Sequence, residues 1–298
     1  MSDAPKTPDY HEDQRRFLEA LGAAEARTGF RASLIEKDYY CSLALGALAG
    51  AFSQGLVFKG GTSLSKVHAE FFRLSEDLDF AVSISPDARR SARRSAVAPF
   101  KMHMAQIPAL LPCFRSTVPL TGFNDCRQYN GELAYRSAVI TGEEGRVKLE
   151  IALREETLLP SEMLLAQTLL SDPSTGAPVI APVSVRVLTL RETYAEKIRA
   201  ALTRLPPAIR DFFDIDNAVA CGRLLHTDRD LADLVKRKLA IATASGEPVV
   251  LTPEKIALLR VQIETQLRPV LREVDYAKFD LDRVVEILKE VVALCQDS

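Results

Sequence analysis

Two aspartates separated by a single residue, Asp77 and Asp79, stand a short helix downstream of a glycine-rich turn, Gly-Gly-Thr-Ser, at residues 60–63. On a β-strand, side chains two residues apart share a face, so the two carboxylates are expected to project together. Convergent carboxylates repel each other unless a cation neutralises them, and Mg²⁺ and Mn²⁺ prefer oxygen ligands. The pattern therefore predicts a divalent-metal site beside a turn that can hold phosphate.

A later segment offers a third carboxylate. Residues 146–153 (RVKLEIAL) alternate between apolar and polar types, which predicts a strand with Lys148 and Glu150 on one face. Glu150 is then a candidate third metal ligand or general base. The alternative interpretation is that Glu150 pairs with Lys148 across a solvated surface.

The glycine-rich turn is suited to a triphosphate. Gly60 and Gly61 allow the backbone to approach phosphate closely, and the following helix N-terminus supplies unpaired N–H groups. Thr62 and Ser63 can add hydroxyl donors. Such a turn alone commonly just caps a helix, and Asp-Leu-Asp alone fits a half-exposed strand, but their order together with Glu150 favours function.

Nucleotidyl transfer requires a bound donor triphosphate, metal ions that bridge its phosphates, and a carboxylate near the attacking hydroxyl. All three parts are present, which predicts an enzyme that uses a nucleoside triphosphate (NTP) together with Mg²⁺ or Mn²⁺.

The surrounding pattern predicts an α+β fold, with a small mixed sheet flanked by helices and a helical C-terminal part. Helices are expected from about residue 10 to 55, before a strand at Leu56–Phe58, and again from Pro86 to Ala109. A hairpin is expected with strands 134–140 and 147–153, and one more strand at 183–187. Thr189 is a predicted N-cap, with Glu192 completing a capping box. The later helices are expected at residues 209–225, 228–242, 253–267 and 281–295.

Length and composition set the wider limits. The chain has 298 residues, which suggests two domains, placed at 1–189 and 190–298. Apolar residues make up 47% and charged residues 26%, and no apolar run approaches a membrane span. The polar, acidic N-terminus lacks a secretory signal, so a cytoplasmic protein is expected. Five scattered cysteines are predicted to be reduced thiols.

The net charge of −2 gives no global attraction for nucleic acid, so an RNA contact would need a local basic patch. Two candidates are the arginines at 89, 90, 93 and 94 and the run Lys236–Lys238. Either could equally be a solvated helix face.

Five sequence blocks in a fixed order carry a family resemblance. The strings GGTSLSKVH and RLSEDLDF, with IEKDYY upstream and RETYAEKIRA and RDFFDID downstream, resemble the AbiEii/MenT-like nucleotidyltransferase toxins. These belong to the DNA polymerase β-like nucleotidyltransferase superfamily, and the resemblance extends from about Ile35 to Asp216. It implies a polymerase β-like core followed by a helical domain in a bilobed chain.

The resemblance also implies roles for individual residues. Gly61, Thr62 and Ser63 correspond to the phosphate-binding turn, with either Thr62 or Ser63 in place of the family's serine, and Asp77 and Asp79 to the metal-binding pair. Lys197 corresponds to a lysine implicated in nucleotide binding, and Asp211 to an acidic residue needed for activity. Without the resemblance, Lys197 could belong to an ion-paired helix face with Glu192 and Glu196, and Asp211 could pair locally with Arg210. The site is expected in a cleft between the two halves.

The biological implication is the toxin of a type IV toxin–antitoxin or abortive-infection pair, with an antitoxin encoded nearby. Some relatives modify the acceptor end of tRNA and so block translation, which makes tRNA the expected acceptor. Two alternatives stay open: transfer to a protein hydroxyl or a small molecule, and a nucleotide-binding regulator without turnover.

Overall fold

The computed structural model describes residues 10–85, 87–153, 157–244, 249 and 251–297. The chain divides into two compact units, Met1–Leu188 and Thr189–Ser298. The first unit contains the β-sheet and the second is helical. The predicted α+β class, with a mixed sheet and a helical C-terminal part, is confirmed.

In the described residues three helices precede the sheet, within the region 10–55 where the sequence predicts helices: α1 (Gln14–Thr28), α2 (Ala32–Ala47) and α3 (Ala49–Ser53). Helix α1 begins where the Asp13 side chain accepts a hydrogen bond from the backbone N–H of Arg16, and it ends at Gly29 in the left-handed conformation. Their apolar faces join the main core of this unit.

Seven strands form one mixed sheet in the order β3-β4-β5-β2-β1-β7-β6. Strand β1 pairs antiparallel with β2 and parallel with β7, and β2 also pairs parallel with β5. The strands are β1 (Leu56–Lys59), β2 (Asp77–Val82), β3 (Phe114–Phe123), β4 (Gln128–Arg136), β5 (Glu144–Ala152), β6 (Glu162–Ala166) and β7 (Val183–Val187). Between β1 and β2 lie α4 (Gly60–Ser63) and a π-helical turn (Leu64–His68).

The sheet has one apolar face in the core, as the alternation predicts. Leu78 and Phe80 on β2, and Val147 and Ile151 on β5, are fully buried. Asp77 and Asp79 are only partly buried and alternate with them along β2. The pleat thus directs the two carboxylates to the opposite face.

The predicted hairpin exists as the antiparallel pair β4–β5, but its first strand was placed wrongly. Strand β4 ends at Arg136, so the expected strand positions 138 and 140 lie in the connecting loop. The reason is a contact with α2: buried Glu36 accepts hydrogen bonds from the Ser137 hydroxyl at 2.7 Å and the Ala138 N–H at 2.6 Å. That N–H is therefore not available to a strand ladder.

The helix expected to begin at Pro86 is α5, Arg90–Leu110. Pro86 itself lies outside the described residues. Of the arginine cluster on this helix, Arg93 is buried and donates to the Asp125 carboxylate at 2.9 Å. One member of the predicted basic patch is thus part of the fold.

The second unit begins with the predicted cap: the Thr189 hydroxyl accepts from the backbone N–H of Glu192 at 3.2 Å. Its helices are α6 (Leu190–Thr203), α7 (Ile209–Ala220), α8 (Arg229–Ala244), α9 (Pro253–Gln262), α10 (Glu273–Tyr276) and α11 (Leu281–Asp297), with a π turn at Ile263–Leu267 and a 3₁₀ turn at Arg268–Val270. Among the described residues, none of the helices combines the length and hydropathy needed to cross a bilayer. All five cysteines are free thiols.

Candidate active site

Strand β2 places its two aspartates in rows of polar residues that run across the sheet. Asp79 is the register partner of Lys59 on β1 and of Glu150 on β5, and Glu150 is in turn the partner of Asn130 on β4. Partners in adjacent strands lie about 4.8 Å apart and share a face. The sheet therefore places Glu150 beside Asp79, as the alternation in RVKLEIAL led us to expect.

The neighbouring row joins Asp77 to Lys148 on β5, and Lys148 to Glu132 on β4. Both rows open into a cavity of about 210 Å³. The cavity is lined by Asp77, Asp79, Val118, Asn130, Gly131, Glu132, Lys148, Leu149 and Glu150. It is thus an acidic groove on the polar face of the sheet.

The cavity's donor set fits a hard divalent cation, because Asp77, Asp79 and Glu150 offer only oxygen atoms. Within the described part of the chain, no three His, Cys, Asp or Glu side chains are already gathered tightly enough to form a metal site. Metal ligation by these three carboxylates stays a prediction. The alternative interpretation of Glu150 is not supported: in the described residues no salt bridge joins Lys148 to Glu150.

The glycine-rich turn packs directly against this groove. Gly60 has a φ of 76°, and a Cβ added there would lie 2.3 Å from Oδ2 of Asp79. A side chain at this position would meet a backbone penalty and a collision with the carboxylate. Glycine here is what lets the turn and the predicted metal ligand lie in contact.

The hydroxyls of the turn are used inside the fold. Thr62 donates to the backbone carbonyl of Asp77, and Ser63 donates to the carbonyl of Gly60 at 3.3 Å. Both side chains are buried. Thr62 thereby ties the turn to the strand that carries the aspartates, and the backbone N–H groups of α4 remain the candidate donors for the predicted phosphate.

Sequence reasoning missed a buried cation at the turn. Arg73 is only 2% exposed, and a Cβ at Gly61 would lie 2.5 Å from its Nη2 atom and 3.0 Å from Oγ of Ser75. A guanidinium against the turn raises the local positive potential. The one feature of the sequence that could have indicated Arg73 is its position at the start of the RLSEDLDF block, a few residues before the aspartates.

We expect the Gly60→Ala variant to fold but to lose most of its nucleotidyl transfer activity. The added Cβ must displace the Asp79 carboxylate, so nucleotidyl transfer should fall strongly, while the left-handed backbone costs about 1–2 kcal/mol of stability. Gly142→Ala is the matched control, because Gly142 has a φ of 83° with nothing within 4 Å of its added Cβ. Urea unfolding and a transfer assay on both variants test this. Equal activity in the two would contradict the proposed contact.

Lys197 and Asp211 belong to the second unit and contact each other there. Nζ of Lys197 on α6 lies 2.7 Å from Oδ1 of Asp211 and 2.9 Å from Oδ2 of Asp214, both on α7. Oδ2 of Asp211 is buried without a hydrogen-bond donor in the described residues. The guanidinium of Arg204, an exposed side chain, lies 3.7 Å from it. Asp214 was not among the site residues predicted from the sequence.

Glu192 and Glu196, which were considered as alternative partners of Lys197, form ion pairs with a different lysine. Lys238 on α8 lies 2.8 Å from Glu192 and 3.2 Å from Glu196, and it is 1% exposed. Lys238 is therefore a buried, ion-paired residue, and it does not contribute to the basic surface patch predicted at residues 236–238.

A mixed sheet with a glycine-rich turn against a strand that bears two aspartates is the arrangement expected of a nucleotidyltransferase. The family model described as nucleotidyl transferase AbiEii toxin, type IV TA system, matches residues 43–288. The chain therefore belongs to the AbiEii family of nucleotidyltransferase toxins, as the motif resemblance indicated.

A solved structure supports the fold. The chain is similar to MenT4, a nucleotidyltransferase toxin from Mycobacterium tuberculosis H37Rv, with a TM-score of 0.57 and 20% sequence identity. The similarity covers 94% of this chain and 92% of MenT4. None of the curated protein sequences matches this chain. The predicted fold class is confirmed by this likeness.

Proposed function

We propose that this toxin transfers a nucleotidyl group from an NTP to the acceptor end of tRNA, using Mg²⁺ or Mn²⁺, and so blocks translation and growth. The reaction would take place in the cytoplasm, and a cognate antitoxin encoded nearby would oppose it. The observation that carries this proposal is the pairing of Asp79 with Glu150 in the β2–β5 ladder, with Gly60 packed against the Asp79 carboxylate.

Each part of the groove has a place in the transfer. The N–H groups of residues 60–63 would hold the triphosphate, and Asp77 and Asp79 would hold the metal ions. Divalent cations at these carboxylates would neutralise charge on the phosphates. Glu150 would complete the metal site or accept the proton of the attacking hydroxyl. The hydroxyl oxygen bonds to the α-phosphorus while the bond to pyrophosphate breaks.

We propose that Lys197 and Asp211 serve the same reaction, with Lys197 neutralising phosphate charge and Asp211 orienting nucleotide or acceptor. Support comes from the family motifs and from the arrangement inside the second unit. Two carboxylates fix the Lys197 ammonium, and the buried Oδ2 atom of Asp211 lacks a hydrogen-bond donor in the described residues. Leaving such an oxygen without a hydrogen bond costs free energy, so it is suited to accept a hydrogen bond from a substrate hydroxyl.

The test is label transfer by the purified protein. Incubation with cell lysate, Mg²⁺ and each α-labelled NTP should place label in RNA and release pyrophosphate, beyond what the lysate alone does, and a chelator should abolish both. Label that survives RNase but not protease would indicate a protein acceptor instead, and label in neither would point to a small molecule. NTP binding without pyrophosphate release would identify a regulator and contradict the proposed function.

A further inference from the structure

The topology distinguishes two sides of the aspartate strand. The phosphate turn follows β1, and its Thr62 hydroxyl bonds to the Asp77 carbonyl, so the turn lies on the β1 side of β2. Strand β5 borders β2 on the other side and carries Lys148 as the register partner of Asp77. Across the sheet the order is therefore phosphate turn, Asp77, Lys148.

In an in-line displacement, the donor and the acceptor lie on opposite sides of the transferred phosphorus, so each of these two sides of β2 would face a different substrate. The attacking and leaving oxygens lie on opposite sides of the transferred phosphorus. If the triphosphate is held by the turn, pyrophosphate departs on the β1 side and the attacking hydroxyl arrives on the β5 side. Glu150, the candidate base, is on that side, two residues beyond Lys148 on the same strand face.

Lys148 is an exposed cation in a cavity lined by carboxylates. Its neighbour Glu132 is already engaged, by Arg146 at 2.9 Å and by the Thr117 hydroxyl at 2.7 Å. Across the described residues Lys148 makes no ion pair with Asp77, Glu132 or Glu150, although it shares a row or a strand face with each. Its ammonium is therefore available to an incoming anion.

We propose that Lys148 binds a phosphate of the acceptor next to the attacking hydroxyl, and that it makes the groove select phosphate-bearing acceptors. The inference rests on the proposed function, because that function assigns the donor to the turn. Lys148 takes no part in bond making: it positions the acceptor while Glu150 faces the reacting hydroxyl. A neutral acceptor, such as a protein hydroxyl, would leave this cation without a partner.

The experiment measures binding of a short single-stranded oligoribonucleotide with a free 3′ hydroxyl to the full chain, in Mg²⁺ without NTP, by fluorescence anisotropy at several salt concentrations. Each phosphate contact on a single strand contributes about −0.7 to the slope of log K against log salt. Lys148→Gln should make the slope less negative by about 0.7 and weaken binding about fivefold. Lys148→Arg should restore the slope, and Mg–ATP binding by calorimetry should not change.

Lys101→Gln is the matched control, because Lys101 is exposed on α5 and does not line the cavity. An unchanged slope in Lys148→Gln, no RNA binding by the wild type, or a loss confined to Mg–ATP would each overturn the inference. Failure of the proposed function looks different: the slope would change as expected while the wild type transferred no label from any NTP.

Discussion

Asp79→Asn is expected to lower kcat/KM for nucleotidyl transfer by about a thousandfold, or ~4 kcal/mol of transition-state stabilisation. Asparagine keeps the size of the side chain packed against Gly60 but removes the negative charge that would hold a metal ion. The loss should appear both in label transfer and in growth inhibition. Folding should be retained, because Leu78 and Phe80 still fill the apolar face beside it.

Asp87→Asn is the control for charge, since Asp87 is exposed and does not line the cavity. It should transfer label at the wild-type rate. The measurements are initial rates at saturating Mg²⁺, with circular dichroism to check folding. Near-normal transfer by a folded Asp79→Asn variant would remove the basis of the metal-site proposal.

The largest expected effect on stability comes from Lys66→Met, at a cost of about 3–5 kcal/mol. Nζ of Lys66 lies 2.6 Å from Oδ1 of Asp38, and their side chains are 0% and 3% exposed. Methionine fills similar space but leaves the Asp38 carboxylate buried without its cation. The Ser42 hydroxyl, 2.7 Å from the ammonium, loses its partner too. Urea unfolding measures the change.

Lys37→Met provides the comparison from the same unit. Lys37 and Glu76 form a pair at 3.2 Å whose side chains are 20% and 31% exposed, so its loss should cost below about 1 kcal/mol. Removing both buried partners, in Lys66→Met with Asp38→Leu, should recover much of the lost stability. Equal costs for the two single lysine variants would mean that the buried pair contributes no more than a partly exposed one.

Local pattern predicted the two strands that carry Asp77, Asp79 and Glu150, because their side chains alternate between apolar and polar types. Strand β2 and the second hairpin strand were recognisable from apolar residues that the core buries. Strand β3 was not predicted, because it is an edge strand with mostly exposed residues, a proline at 119 and two register shifts against β4. Strand β6 was missed for the same reason: four of its five residues are exposed.

Contacts distant in sequence account for the other differences. The end of β4 depends on Glu36, a hundred positions away along the chain, which no window around residue 136 contains. Likewise, the arginine and lysine clusters looked like surface patches, because burial of Arg93 and Lys238 requires partners on other elements. Asp77, Asp79 and Glu150 were singled out from residue types and spacing, whereas the burial of Arg93 and Lys238 was not predicted.

The position of β2 inside the sheet has an energetic consequence. Its aspartates are held by ladders on both sides, antiparallel to β1 and parallel to β5. Folding, rather than substrate binding, therefore places Asp79 and Glu150 as register partners on adjacent strands. The backbone that carries these carboxylates is thus ordered before anything binds in the groove, so the binding free energy of a ligand there need not cover the ordering of that backbone.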